Sequence, residues 1–254
     1  MPGHTSEHVT VADEGAVRVI RMARPDKKNA LTHAMYAALA SALVAVKLQP
    51  GIHCVMIAGA PGAFCAGNDL DDFRQAAVSG EGLGEQALRF LHALACCEKP
   101  LVAAVDGVAI GIGTTMLLHC DYVVAARGSR FATPFVNLGL VPEAASSLLA
   151  PRLMGPRRAF ALLVMGDPFD ADDALSAGLI NRIVENGEAD HAAMQAAQKI
   201  AALPPEAVLA SRRLMRGSPE DIVARIDAEA EFFRERLQSP DAQAAFEAFF
   251  ARKT

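Results

Sequence analysis

Two glycine-rich turns, each placed directly after a short apolar run, mark where this chain could hold and polarise an oxygen. The first is Gly59-Ala60-Pro61-Gly62-Ala63-Phe64-Cys65-Ala66-Gly67-Asn68-Asp69-Leu70, and the second is Gly111-Ile112-Gly113. A strand that stops in such a turn leaves main-chain N–H groups free. Where a helix begins there, those groups point outward at the positive end of its dipole. One N–H from each turn would be enough to hold a developing oxyanion. Glycines after a strand also make ordinary tight turns, so their spacing alone does not select this chemistry. It does exclude two others. A dinucleotide fingerprint would need glycine at Met116 and an acidic residue further on, and the phosphate loop G-x-x-x-x-G-K-S/T does not occur.

Stepping outward from the turns, Leu101-Val102-Ala103-Ala104-Val105 reads as a buried strand halted by Asp106-Gly107, and Thr114 to His119 as the first turns of a helix. His53 to Ala58 is a strand, and Gln86 to Cys97 a helix. Residues 71 to 85 read as a loop of the kind that covers a ligand entrance. Upstream, His8 to Met22 alternates around Glu14-Gly15 as a hairpin would, and Thr32 can cap a helix carrying Met35, Leu39, Leu43 and Val46. Beyond Glu143 the pattern is helical: Ser147 to Met154, Pro156 to Met165, Ala171 to Ala177 and Glu188 to Leu203, with a short strand at Ile180 to Val184. Two more helices follow. One has Ile222, Ile226, Phe233 and Leu237 on a stripe; the other starts at Pro240 and carries Phe246, Phe249 and Phe250. Repeated strand, turn and helix with a strand-free tail predicts an α/β core over residues 1–195 and a helical segment over 196–254. The tail's aromatic face would pack on its own core or serve an oligomer contact.

Composition narrows the function class. The 254 residues are 52% apolar with a formal charge of -5, which gives no field for nucleic acid. Five cysteines, two of them adjacent at Cys96-Cys97, match neither a disulfide framework nor a zinc pattern, and they predict a reducing cytoplasm. The seven histidines are scattered, without an HExxH pair, so no metal and no cofactor is expected. The polar start MPGHTSEHVT has no secretory pattern, and the longest apolar stretch is broken by Asp106 and glycines, so no membrane span is expected.

Six segments together resemble one family. RPDKKNAL, GAPGAFCAGNDL, EKPLVAAVDGVAIGIG, CDYVVAA, FATPFVNLGLVPEAASS and DALSAGLINRIV occur in the order and with the spacing of the crotonase, or enoyl-CoA hydratase/isomerase, superfamily. The resemblance spans nearly the whole chain. It implies a spiral of repeated ββα units with a C-terminal helical oligomerisation segment, a homotrimer or dimer of trimers, and an acyl-coenzyme A thioester as substrate. It places the two oxyanion donors at the N–H groups of Asn68 and Ile112. It also implies that Ala66, Asp69, Leu70 and Gly111 line the substrate, and Lys28 is the candidate for the coenzyme A phosphates, with Arg24 and Lys27 nearby.

Departures from the family pattern decide the expected reaction. Hydratases of this family resemble one another in two glutamates, and the matching positions here hold Thr115 and Phe135. Glu143, in LVPEAASS, is placed like the proton-shuttling glutamate of the Δ3,Δ2-enoyl-CoA isomerase subgroup. A single acid/base group reaching two carbons of one substrate face favours a 1,3 proton shift over the addition of water. Three alternatives stay open at this point: a glutamate that merely caps the helix starting near Ala145, a hydratase working with Glu143, and a non-catalytic acyl-CoA or RNA-binding protein on the same scaffold. His119 is expected to support the site from the core.

Overall fold

The computed structural model describes residues 6–60, 62–69, 72 and 82–251, apart from the side chains of residues 249 and 250. Most of the expected loop over 71–85 lies outside the described residues, as does Leu70. The chain begins with the hairpin of β1 (Val9–Glu14) and β2 (Val17–Met22), closed where Glu14 faces Val17. Helix α1 (His33–Val46) follows, with the Thr32 hydroxyl accepting from the Met35 N–H as its cap.

From here one unit repeats. A strand of the large sheet turns sharply into a three-residue strand of a second sheet: β3 (Cys54–Ala58) into β4 (Ala63–Cys65), β5 (Leu101–Val105) into β6 (Val108–Ile110), and β7 (Tyr122–Ala126) into β8 (Arg130–Ala132). Helix α2 (Glu85–Ala95) follows the first unit, and α3 (Ile112–Thr115), extended by a 3-10 turn Met116–His119, follows the second. After β8 come α4 (Ser146–Met154), α5 (Pro156–Phe160) running into a π turn Ala161–Met165, and α6 (Ala171–Ser176). The strand β9 (Arg182–Val184) completes a six-stranded sheet of order β1-β2-β3-β5-β7-β9, parallel except for β1. The short strands form the parallel sheet β4-β6-β8. This is the expected spiral of ββα units.

Alternating side chains divide the large sheet between two layers. Val17, Val19, Cys54, Met56, Val102, Ala104 and Val124 meet α7 (Ala189–Ala201), whose contact face is alanine and lets its backbone lie close to the strands. The opposite residues, among them Ile20, Val55, Ile57, Leu101 and Val105, join α1 and α2 in the larger core. The expected division at 195/196 falls inside α7, where Ala192 and Ala193 on one side and Ala197 and Ala201 on the other pack on the same sheet face.

Two features were not expected. Three-residue strands are too short to show a period, which hid β4, β6 and β8. Helix α8 (Pro205–Arg216) also escaped the sequence reading, and none of its residues is buried. The chain then continues through α9 (Pro219–Leu237) and α10 (Pro240–Ala251). Ile222, Ile226, Phe233 and Leu237 of α9 are all buried in the larger core. Among the described residues, no helix is long and apolar enough to cross a membrane, and no His, Cys, Asp and Glu cluster could hold a metal ion.

Candidate active site

Because β4, β6 and β8 run parallel, the segments leaving their carboxyl ends open on one edge of the small sheet. Ala66-Gly67-Asn68 leaves β4, Gly111-Ile112 leaves β6, and Thr133 to Phe135 leaves β8. The first two turns touch. A Cβ built on Gly67 would lie 3.2 Å from the Ile110 oxygen, and one built on Gly113 only 2.5 Å from the Cys65 oxygen, so glycine is required for this approach.

Hydrogen bonding shows which donors remain. The Leu31 N–H donates to the Gly67 oxygen at 2.8 Å and the Asp69 N–H to the Leu31 oxygen at 2.9 Å, a parallel bridge that turns the Asn68 N–H to the opposite side. In the second turn, Gly111 donates to Ala132, while Thr114 and Thr115 donate to Gly111. Ile112 is the first residue of α3, so its N–H has no partner within the helix. Neither the Asn68 nor the Ile112 N–H has an acceptor among the described residues.

Glu143 is 3% exposed, and the Thr115 hydroxyl lies 2.5 Å from its Oε1. Thr115 stands three residues after Ile112, less than one helical turn of about 5.4 Å, which brings the carboxyl group to the donor edge. The same hydroxyl is 3.3 Å from the Gly111 oxygen, and its one hydrogen cannot serve both. It can donate to an ionised Glu143, or accept from a protonated Glu143 and donate to Gly111, so either protonation state is accommodated. Burial pushes the Glu143 carboxyl up to about 8, partly offset by the Thr115 hydrogen bond and reinforced by the charge of Glu229.

The turn presenting Glu143 is strained. Ala144 and Ala145 have φ of 62° and 55°, a left-handed conformation costing roughly 1–2 kcal/mol per residue. The turn is tied from two sides. His119 Nε2, the donor because its partner is a carbonyl, lies 2.8 Å from the Ala144 oxygen. Burial lowers His119 to about 4, so it is neutral and holds the turn rather than moving protons. From α9, Glu229 accepts from the Ala145 N–H at 2.6 Å, the Ser147 N–H at 2.9 Å and the Ser147 hydroxyl at 2.5 Å. The capping duty at α4 thus falls to Glu229, and the side chain of Glu143 is directed to Thr115 instead.

Further side chains complete the wall. The Tyr36 hydroxyl donates to Asn68 Oδ1 at 2.5 Å. Burial first, then the charges of Glu143 and Cys65, raise the Tyr36 phenol well above its ordinary value, which places these groups in one neighbourhood. Phe135 is buried, with its ring edge 4.0 Å from a Cβ built on Gly111. Apolar surface therefore occupies one of the two positions where a hydratase resembling this chain would carry a carboxylate.

Lys28 is exposed, and its main-chain oxygen accepts from the Ala66 N–H at 2.9 Å, which sets it at the rim beside the first turn. Arg24 does not share that role. Its Nη1 is 2.5 Å from Asp69 Oδ2 and 3.1 Å from the Ala30 oxygen, and it is largely buried, so it fixes the loop instead of offering itself to a phosphate. Asp69 likewise is held by Arg24 and by its main-chain bond to Leu31. Three supporting residues escaped the sequence reading: Tyr36, Thr115 as the partner of Glu143, and Glu229. Only Glu229 left a signal, a carboxylate within the buried stripe Ile222, Ile226, Phe233 and Leu237 of α9.

Comparison with known proteins agrees with this architecture. The model of the family described as enoyl-CoA hydratase/isomerase matches residues 12–254, and the chain is an enzyme of that family. It is 33% identical over 253 residues to enoyl-CoA delta isomerase 2 of Rattus norvegicus, covering 98% of this chain and 64% of the relative. It is 30% identical over 249 residues to a short-chain-enoyl-CoA hydratase of Clostridium acetobutylicum, covering 97% and 95%. Among solved structures, OdaA of Pseudomonas aeruginosa superposes with a TM-score of 0.90 at 41% identity over 96% of this chain and 99% of that one.

Proposed function

We propose that this enzyme shifts the double bond of a 3-enoyl-CoA to the 2-position, with Glu143 carrying the proton. The observation that carries the reading is the buried Glu143 carboxyl, held by Thr115 on the helix that begins at the unpaired Ile112 N–H, with Thr115 and Phe135 where the two hydratase carboxylates would have stood. The thioester oxygen rests on the N–H groups of Asn68 and Ile112. The ionised Glu143 takes a proton from C2, and the electron pair moves into a dienolate whose charge the two donors hold, each contributing about 3–4 kcal/mol by analogy with oxyanion holes. The resulting carboxylic acid returns the proton to C4, so the products carry the same atoms as the substrate.

A carboxyl titrating at about 8 suits both half-steps, because it is a stronger base than an exposed glutamate and still a competent acid. Water addition would require a second group to orient the water, and Phe135 offers none. Lys28 at the rim meets the coenzyme A phosphates, and a trimer-based assembly in a reducing cytoplasm belongs to the same reading. The test offers the enzyme 3-enoyl-CoA and 2-enoyl-CoA separately. Formation of the conjugated thioester from the first, lost in Glu143→Gln with acyl-CoA binding retained, is the expected result. Consumption of the conjugated thioester to a 3-hydroxyacyl product would make the enzyme a hydratase. Binding without turnover of either would leave an acyl-CoA carrier.

A further inference from the structure

We infer that Glu229, far from Glu143 in sequence, is a positioning residue that holds the turn presenting the Glu143 carboxyl in place. The inference rests on the reading of Glu143 as the proton carrier, but its first readout needs no turnover. The geometry is specific. Glu229 is 6% exposed on the inward stripe of α9, where Ile222, Ile226, Phe233 and Leu237 are its neighbours. An apolar residue there would bury more surface and leave no charge to desolvate. Its two oxygens instead take three donors, from Ala145 and Ser147, immediately after Glu143. Those donors belong to the turn whose left-handed alanines would otherwise relax toward ordinary helical or extended backbone. If the turn relaxes, Glu143 leaves Thr115.

The charges around the pair are few. Glu143 faces Thr115 from α3, Tyr36 from α1, Cys65 from β4 and, through the turn, Glu229 from α9. His119 contributes a neutral ring to the Ala144 oxygen. Glu229 itself faces Ser147 and the exposed Arg225, whose Nη1 lies 3.1 Å from the Ser147 hydroxyl. Burial raises the Glu229 carboxyl while its three donors and Arg225 oppose that rise, and whatever charge it carries favours the protonated form of Glu143. Helix α9 thus reaches the turn after Glu143 through the Glu229 side chain.

The experiment reads Glu143 directly, as the carboxyl-stretch infrared difference between the wild type and Glu143→Gln over a pH series, and then measures kcat against pH. In Glu229→Gln the midpoint of the Glu143 titration moves to lower pH, and kcat falls because one oxygen cannot replace two. In Glu229→Ala the turn is released and kcat falls by about 100-fold, the cost of a misplacement near 1 Å. Should neither variant fold, Glu229→Asp keeps the charge but draws it back, and a lower midpoint with reduced kcat is expected. A merely structural role would lower Tm and leave the midpoint where it was, which would overturn the inference, as would wild-type midpoint and kcat in any folded variant. A moved midpoint in an enzyme that does not isomerise 3-enoyl-CoA would keep the inference and reject the proposed reaction.

Discussion

Thr115→Val is the sharpest probe of the proposed proton carrier. The change is nearly isosteric at a fully buried position, and the Gly111 oxygen keeps its main-chain donors, the Thr114 and Thr115 N–H groups. What is lost is the hydroxyl at 2.5 Å from Glu143 Oε1. A hydrogen bond to a charged group contributes roughly 1.5–3 kcal/mol, and about 1.4 kcal/mol corresponds to one pKa unit, so removing it should raise the Glu143 midpoint by about one to two units. With the wild-type carboxyl near 8, roughly a tenth is ionised at pH 7, and the variant should retain roughly a tenth to a hundredth of that. The assay follows the ultraviolet absorbance of the conjugated thioester formed from 3-enoyl-CoA, with kcat/KM measured from pH 6 upward. The wild type should gain activity through an acid limb near pH 8. Thr115→Val should run about 10- to 100-fold lower at pH 7 and approach the wild type at high pH. A variant profile that superimposes on the wild type, or a wild-type limb near pH 4.5, would refute the reasoning, since the first denies the hydrogen bond and the second denies the effect of burial.

Two further outcomes follow from the same site. The folded-state value of Glu143, about 8, lies above its ordinary 4.5, so the native chain keeps a proton that the unfolded chain releases between those values. Stability from this group is therefore complete below pH 4.5 and is lost as pH rises to about 8, at about 1.4 kcal/mol per unit at most. Glu143→Gln has no proton to lose, so its Tm advantage over the wild type should be larger at pH 8 than at pH 5, and equal differences in thermal melts would contradict the assignment. Lys28→Ala should raise KM for an acyl-CoA about tenfold at low salt with kcat unchanged, and should leave an acyl-pantetheine substrate unaffected. An equal change with both substrates would remove Lys28 from the phosphate end.

The sequence by itself determined the strand, turn and helix order of the core and the two glycine-rich turns, because glycine, proline and aspartate punctuate apolar runs; the short second strand of each repeat was not legible in three residues. The sequence also singled out Glu143, since the positions corresponding to Thr115 and Phe135 cannot ionise as acids or bases near neutral pH. Those are local facts of residue type and spacing, and they survive without coordinates. Tertiary structure decided what each side chain does. Arg24 stands four residues before Lys28 in the basic loop, yet folding turns it inward to Asp69, a choice set by a partner 45 residues away. Glu143 and Glu229 each stand before or within a helical segment, and either could cap an N-terminus; only the packing of α9 against the 144–147 turn gives that task to Glu229 and leaves Glu143 for Thr115. The elevated titration of Glu143 is of the same kind, because desolvation is a property of the surroundings that close over a residue and not of the residue.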